Sequence, residues 1–124
     1  RQLEISDGRS MKTYYKLIRD KIPEIIKADG KVCVTRILSD EEYVDALEKK
    51  LNEEVTEYQT DKNLEELADI LEVLQAICIA RGYTLEELET TRAKKSKERG
   101  GFEKNIFLER VENIADGEKH EQGK

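Results

Sequence analysis

Glu54 and Glu57 lie three residues apart, and so do Glu66 and Asp69. On an α-helix that spacing puts both members of a pair on one face. The pairs are also symmetric: Glu57 with Glu66, and Glu54 with Asp69, share the midpoint 61.5, beside the centre of the connecting residues Thr60-Asp61-Lys62. Residues equidistant from the turn of an antiparallel helix pair stand at the same height. The spacing therefore predicts that four carboxylates converge wherever those faces meet. Converging carboxylates repel one another and lose hydration unless a cation neutralises them. Ligation by oxygen alone suits a hard cation, Mg²⁺ or Mn²⁺ as its substitute. Mg²⁺ held by carboxylates and open to water commonly takes a phosphate substrate. The competing reading is a solvated acidic surface. Against it, the Glu66/Asp69 stripe continues into Val73, Ala76 and Ala80, whereas Glu65, Glu72 and Gln75 form the more natural solvent face.

Phosphates also need cations from the chain. Arg92, Lys95 and Arg99 follow one another at steps of three and four, on one helix face. The alternative is a solvated face whose cations suit the helix C-terminus. Gly100-Gly101 follows, which lets backbone approach a ligand closely or simply stops the helix. Phe102 is placed either to stack on a base or to fill a core. Lys16, Arg19 and Lys21 cluster at the start of another helix, where they read as phosphate or subunit-interface contacts, or as an Arg19–Asp20 structural pair.

The elements that must position these groups are helices. The first follows Asp20 as N-cap, takes Pro23 in its first turn and ends near Gly30. Ser39 with Glu42 makes a capping box for the second, whose apolar stripe is Val44, Leu47, Leu51, Val55 and Tyr58. The third spans about 63–81 with Gly82 in the stop position, and its broad apolar surface predicts the buried centre of a bundle. Within it, Leu64, Leu67, Leu71, Leu74 and Cys78 form one stripe and Ile70, Val73 and Ile77 another. Thr84 with Glu87 opens the fourth helix, which ends at Gly100-Gly101. Two β-branched or apolar runs, 31–37 and Ile106-Phe107-Leu108, read as a small two-stranded appendage.

With 124 residues, the chain has room for one core, expected over 11–115. Residues 1–10, before the only Met, Met11, read as a vector-derived leader, and 116–124, with the only histidine, His120, as a flexible polar tail. The net charge of -6 argues against a general nucleic-acid binder. No apolar run approaches the ~20 residues of a membrane span. Cys33 and Cys78 have no metal-ligand spacing and read as buried small hydrophobes in a reducing cytoplasm. No Ser–His or Cys–His pair is available for nucleophilic catalysis.

The paired Glu54-x-x-Glu57 and Glu66-x-x-Asp69, the latter within Leu64-Glu65-Glu66-Leu67-Ala68-Asp69-Ile70-Leu71-Glu72-Val73, resemble the all-α nucleoside triphosphate pyrophosphohydrolases, the MazG-like and phosphoribosyl-ATP pyrophosphohydrolase-like proteins. Tyr15-Lys16-Leu17-Ile18-Arg19-Asp20-Lys21-Ile22-Pro23 and Lys97-Glu98-Arg99-Gly100-Gly101-Phe102 resemble two signatures of a small subfamily of them. Only eight residues separate Glu57 from Glu66, fewer than in many members, which implies a tight hairpin. The resemblance implies a mainly α, four-helix bundle-like fold and a homodimer or higher homo-oligomer. It implies Mg²⁺ on Glu54, Glu57, Glu66 and Asp69, and hydrolysis of a nucleoside triphosphate between the α and β phosphates, as in nucleotide-pool house-cleaning. The alternatives are phosphoribosyl-ATP hydrolysis in histidine synthesis and a non-enzymatic acidic helical interaction module.

Overall fold

Local signals set the helix boundaries. The computed structural model describes residues 11–114, which carry α1 (Ile22–Ala28), α2 (Asp40–Asp61), α3 (Leu64–Ala80) and α4 (Leu85–Arg99). The leader, the tail and His120 lie outside the described residues. Both capping boxes form: Ser39 with Glu42 opens α2, and Thr84 with Glu87 opens α4. Asn63 caps α3 by accepting from the Glu66 N–H at 3.0 Å. Asp20 does not cap α1. A turn closed by Ile22 N–H on Arg19 C=O, at 3.1 Å, leads into that helix, so Lys21 takes the cap position and offers no side-chain bond.

The fold is mainly α, and no strand occurs among the described residues. The expected appendage is therefore absent from them. Segment 31–37 leaves Val32, Val34 and Ile37 at 80%, 93% and 94% exposure, and Ile106 and Phe107 are likewise exposed. Two short β-prone runs alone make at best a marginal ribbon, because neither has a further strand or a helix to bury one face.

The chain forms two compact units, Arg1–Gly82 and Tyr83–Lys124. Gly82, at φ +95, ends the first in a conformation that favours glycine. Within that unit α2 and α3 pack as a hairpin. Their connection is Lys62-Asn63, one residue later than the spacing placed it, because α2 continues through Asp61. Lys62 adopts the left-handed conformation (φ 54) that turns the chain, and its Nζ donates to the Gln59 carbonyl at 2.9 Å, satisfying one of the last acceptors of α2.

Leu47 of α2 and Val73 and Cys78 of α3 form the buried apolar set. Full burial of a side chain such as Leu47 contributes about 1.5–3 kcal/mol. Helix α3 is not the enclosed centre that its composition predicted. It packs through the stripe Glu66, Asp69, Ile70, Val73, Ala76, Ile77 and Ala80, while Leu64, Leu67, Leu71 and Leu74 are exposed. Cys33 is half-buried and Cys78 is buried.

Candidate metal centre

The packed face of α2 steps through Val44, Leu47, Leu51, Glu54 and Tyr58, at intervals of three and four. Glu54 thus occupies a core position between Leu51 and Tyr58, and it is only 6% exposed. Val55, which the sequence reading put on that stripe, points outward at 36%. On the facing helix, Glu66 lies in the first turn and Asp69 one turn on; both are half-buried.

These three carboxylates meet. Glu54, Glu66 and Asp69 each offer an oxygen within 4.8 Å of the others, the one such grouping of possible metal-ligating side chains among the described residues. Each makes a different arrangement with its surroundings. Glu54 Oε2 has the Lys50 ammonium, one turn earlier, at 3.4 Å, whereas its Oε1 is buried with no hydrogen-bond partner. Glu66 Oε1 is also buried and unpartnered. Asp69 Oδ1 accepts from Arg19 Nη2 at 2.6 Å. A buried acceptor without a donor carries its full desolvation cost, on the order of 1–3 kcal/mol and more for a charged group.

The electrostatics follow. Burial pushes the Glu54 carboxyl above its ordinary value, and the charges of Glu57 and Asp69 add to that push against the opposing pull of Lys50. Glu66 is raised first by partial desolvation, then by Glu57, Asp61, Asp69 and Glu54. The next residue along α2 from Glu54 behaves oppositely. Burial alone would lift Glu53, but hydrogen bonds and charge from Lys16, at 3.0 Å, and Lys50, at 3.5 Å, hold it below the ordinary carboxylate range. Positive charge is thus spent on Glu53, while the neighbouring group remains short of it.

This donor set fits a hard divalent cation. It contains oxygen alone, and two of its oxygens lack any proton donor. Of three oxygens on one octahedral Mg²⁺, at least two pairs are adjacent and stand about 3.0 Å apart, so the three side chains would draw together on binding. Glu57 lies outside the grouping and is exposed at its rim, where its charge still reaches Glu54 and Glu66. Three of the four carboxylates named from the sequence converge.

The basic residues divide between the two units. In the first, Lys16 is tied to Glu53 and Arg19 to Asp69, so Arg19 does not pair with Asp20. Lys21 is exposed and makes no ion pair among the described residues. In the second, Arg92 holds Glu89 through two bonds of 2.9 and 2.6 Å, whereas Lys95 and Arg99 make no ion pair among the described residues. Gly100, at φ +85, ends α4 in a conformation that favours glycine. A Cβ on Gly101 would meet only the Glu103 side chain at 3.9 Å, an ordinary contact. Phe102 is 98% exposed and fills no core. Sequence reasoning missed Lys50 and Glu53, although Lys50 stands four residues before Glu54, the spacing of a helical ion pair.

Comparison with known proteins adds little to this geometry. A 42-residue segment is 57% identical to an uncharacterized protein of Mycolicibacterium smegmatis, covering 34% of this chain and 43% of that protein, so the match spans less than half of the relative's length. No family model and no solved structure matches the chain. No helix among the described residues is long and apolar enough to cross a membrane.

Proposed function

We propose that the protein is a Mg²⁺-dependent nucleoside triphosphate pyrophosphohydrolase, with Glu54, Glu66 and Asp69 as the metal ligands and Glu57 at the rim of the site. The observation that carries this reading is the pair of buried, unpartnered oxygens, Glu54 Oε1 and Glu66 Oε1, within a three-carboxylate group on facing helices. Carboxylate oxygens buried without a donor are costly to keep unless a ligand offsets the cost. The resemblance of both acidic pairs, and of the 15–23 and 97–102 segments, to the all-α pyrophosphohydrolases supplies the reaction class. Mn²⁺ would serve as a substitute.

Bound there, Mg²⁺ would supply charge neutralisation for the phosphates and acidify a coordinated water. The chain's own groups do the rest. Glu54, Glu66 and Asp69 fix the position at which the α–β anhydride is held. Glu57, exposed and free of an ion-pair partner among the described residues, is the carboxylate available to accept a proton from the attacking water. Lys95 and Arg99, cations of α4 with no ion pair among the described residues, are suited to phosphate oxygens, with Arg92, Gly100, Gly101 and Phe102 beside them in sequence. Lys16, Arg19 and Lys21 form a second basic cluster for the same charge. The products are a nucleoside monophosphate and pyrophosphate, as in nucleotide-pool house-cleaning in the cytoplasm. A homodimer or higher homo-oligomer would cover the exposed Leu64, Leu67, Leu71 and Leu74, whose steps of three and four suit a partner helix.

The test is pyrophosphate release from a panel of nucleoside triphosphates plus phosphoribosyl-ATP, with Mg²⁺ and with EDTA. Mg²⁺-dependent release from a triphosphate is the expected result. Release from phosphoribosyl-ATP alone would move the protein to histidine synthesis, and no release from any substrate would leave an acidic interaction module.

A further inference from the structure

Residues 11–19 have no regular secondary structure, yet two of their cations fasten this segment to the α2–α3 hairpin. Lys16 Nζ donates to Glu53 Oε2 of α2 at 3.0 Å, and Arg19 Nη2 donates to Asp69 Oδ1 of α3 at 2.6 Å. The two ties hold different things. Glu53 stands outside the three-carboxylate group, whereas Asp69 belongs to it. Arg19 therefore sits on an oxygen that a metal ion would take.

The three carboxylates share an unequal supply of positive charge. Glu54 has Lys50, Asp69 has Arg19, and the Oε1 atoms of Glu54 and Glu66 have no donor. The two cations are held differently. Lys50 projects from the middle of α2 with its side chain only 15% exposed, so it is fixed by the helix that carries it. Arg19 projects from irregular chain, its side chain 56% exposed, and its ion pair is open to water and salt. Such a pair is weak despite its short distance. A guanidinium cannot leave by losing its proton at any ordinary pH, so it clears the oxygen only by moving. A divalent cation brings twice the charge to all three carboxylates at once and competes directly for Asp69.

We propose that Arg19 is a displaceable counter-ion of the acidic group: its guanidinium occupies Asp69 until a divalent cation binds, and then gives up that oxygen. The inference rests on reading Glu54, Glu66 and Asp69 as the metal ligands. Competition of this kind lowers the apparent metal affinity by the fraction of molecules in which Asp69 is already taken.

The experiment measures Mn²⁺ binding to the full chain, without nucleotide, from the electron paramagnetic resonance signal of free Mn²⁺. Arg19→Gln removes the competitor, and its Mn²⁺ Kd falls about three- to fivefold, the range set by an exposed ion pair. Arg19→Met, which keeps an apolar stem, shows the same gain, while Arg19→Lys stays within about twofold of the parent chain. Arg81→Gln is the control. Arg81 makes a similar exposed bond from the end of α3 to Glu48 of α2, at 3.0 Å, but touches none of the three carboxylates. Its Mn²⁺ affinity stays at the parent value, and helical circular dichroism confirms that each variant is folded. Unchanged or weaker binding in both Arg19→Gln and Arg19→Met overturns the counter-ion role, as does an equal gain in Arg81→Gln. Mn²⁺ binding that is lost in Asp69→Asn but indifferent to Arg19 overturns the counter-ion role alone. If the parent chain binds no Mn²⁺, the metal reading falls and this inference falls with it.

Discussion

Helices α3 and α4 are alike on paper. They have 17 and 15 residues, each opens on a polar cap that accepts from the third helical N–H, and each carries glutamates in its first turn. They use charge in opposite ways. In α3 two acidic residues belong to the packed stripe and meet a buried glutamate from α2. In α4 no residue is buried, and its ion pairs run along its own surface: Glu89 with Arg92 at 2.6 Å and Lys94 with Glu98 at 3.1 Å. The difference teaches where charge is informative. Exposed pairs three or four residues apart form at almost no cost and contribute about 0.2–0.5 kcal/mol each. A carboxylate oxygen buried without a donor is costly, so its presence calls for a ligand.

The sharpest way to break this contrast is to neutralise the buried acids. Glu54→Gln and Asp69→Asn keep shape and lose charge, and each should lower kcat/KM for Mg²⁺-dependent pyrophosphate release at least about a hundredfold. That loss corresponds to about 2.7 kcal/mol of transition-state stabilisation. Glu65→Gln, on the exposed face of α3, should stay within about threefold. If Glu65→Gln loses as much as Glu54→Gln, the buried and exposed faces are not distinguished by function, and the comparison collapses.

Within α4 the contrast sharpens at smaller scale. Arg92 already has both ends of its guanidinium on Glu89, whereas Lys95 and Arg99 are uncommitted among the described residues. A free cation can meet a phosphate without first giving up a partner. Lys95→Ala and Arg99→Ala should each cost about 1.5–3 kcal/mol of triphosphate binding, roughly a ten- to hundredfold loss in kcat/KM. Arg92→Ala should cost less than either. Stabilisation by Mn²⁺ alone, read by thermal melting, should persist in all three variants. Equal kinetics in the three would make the basic face of α4 a solvated surface.

Much of this is legible in the sequence. Ser39/Glu42, Thr84/Glu87 and Gly82 mark boundaries because caps and stops act within one turn of backbone. The symmetry of the two acidic pairs puts Glu54 level with Asp69, and these two do meet, although the turn lies one residue later than that symmetry assumes and Glu57 stays outside the group. What failed depended on partners distant in sequence. Segments 31–37 and 106–108 carry β-branched and apolar residues but find no ladder, and a strand exists only as part of one. Helix α3 has apolar residues on two stripes, and composition alone could not say that Ile70, Val73 and Ile77 would be packed while Leu64, Leu67 and Leu71 stayed exposed. The apolar stripe of α2 takes in Val55 by a four-residue step from Leu51, whereas Glu54 holds the packed place and Val55 is exposed. The place of Glu54 three after Leu51 and four before Tyr58 was the available signal that a charge sits in the core. Arg19 on Asp69 spans 50 residues and could not be read from local spacing.

The smallest effect we expect is on stability, and it reads the buried acids without relying on catalysis. Both Glu54 and Glu66 have carboxyls raised above the ordinary value of 4.5. Between that value and the raised one, the folded chain binds more protons than the unfolded chain. Stability therefore falls as pH climbs through this window, and the deficit is complete above it. Glu53 and Glu42, both lowered, contribute with the opposite sign, because their stabilisation is lost as pH drops. The melting temperature of the parent chain alone mixes the two, so the informative quantity is the difference between Glu54→Gln and the parent. In EDTA that difference should be near zero at about pH 4.5 and should grow to a few degrees in favour of the variant at pH 7. Millimolar Mg²⁺ should reverse its sign at pH 7, because it stabilises only the chain that retains the carboxylate. A difference that ignores both pH and Mg²⁺ would mean that Glu54 is buried at no electrostatic cost. The buried face of α3 would then be no more informative about a ligand than the exposed pairs of α4.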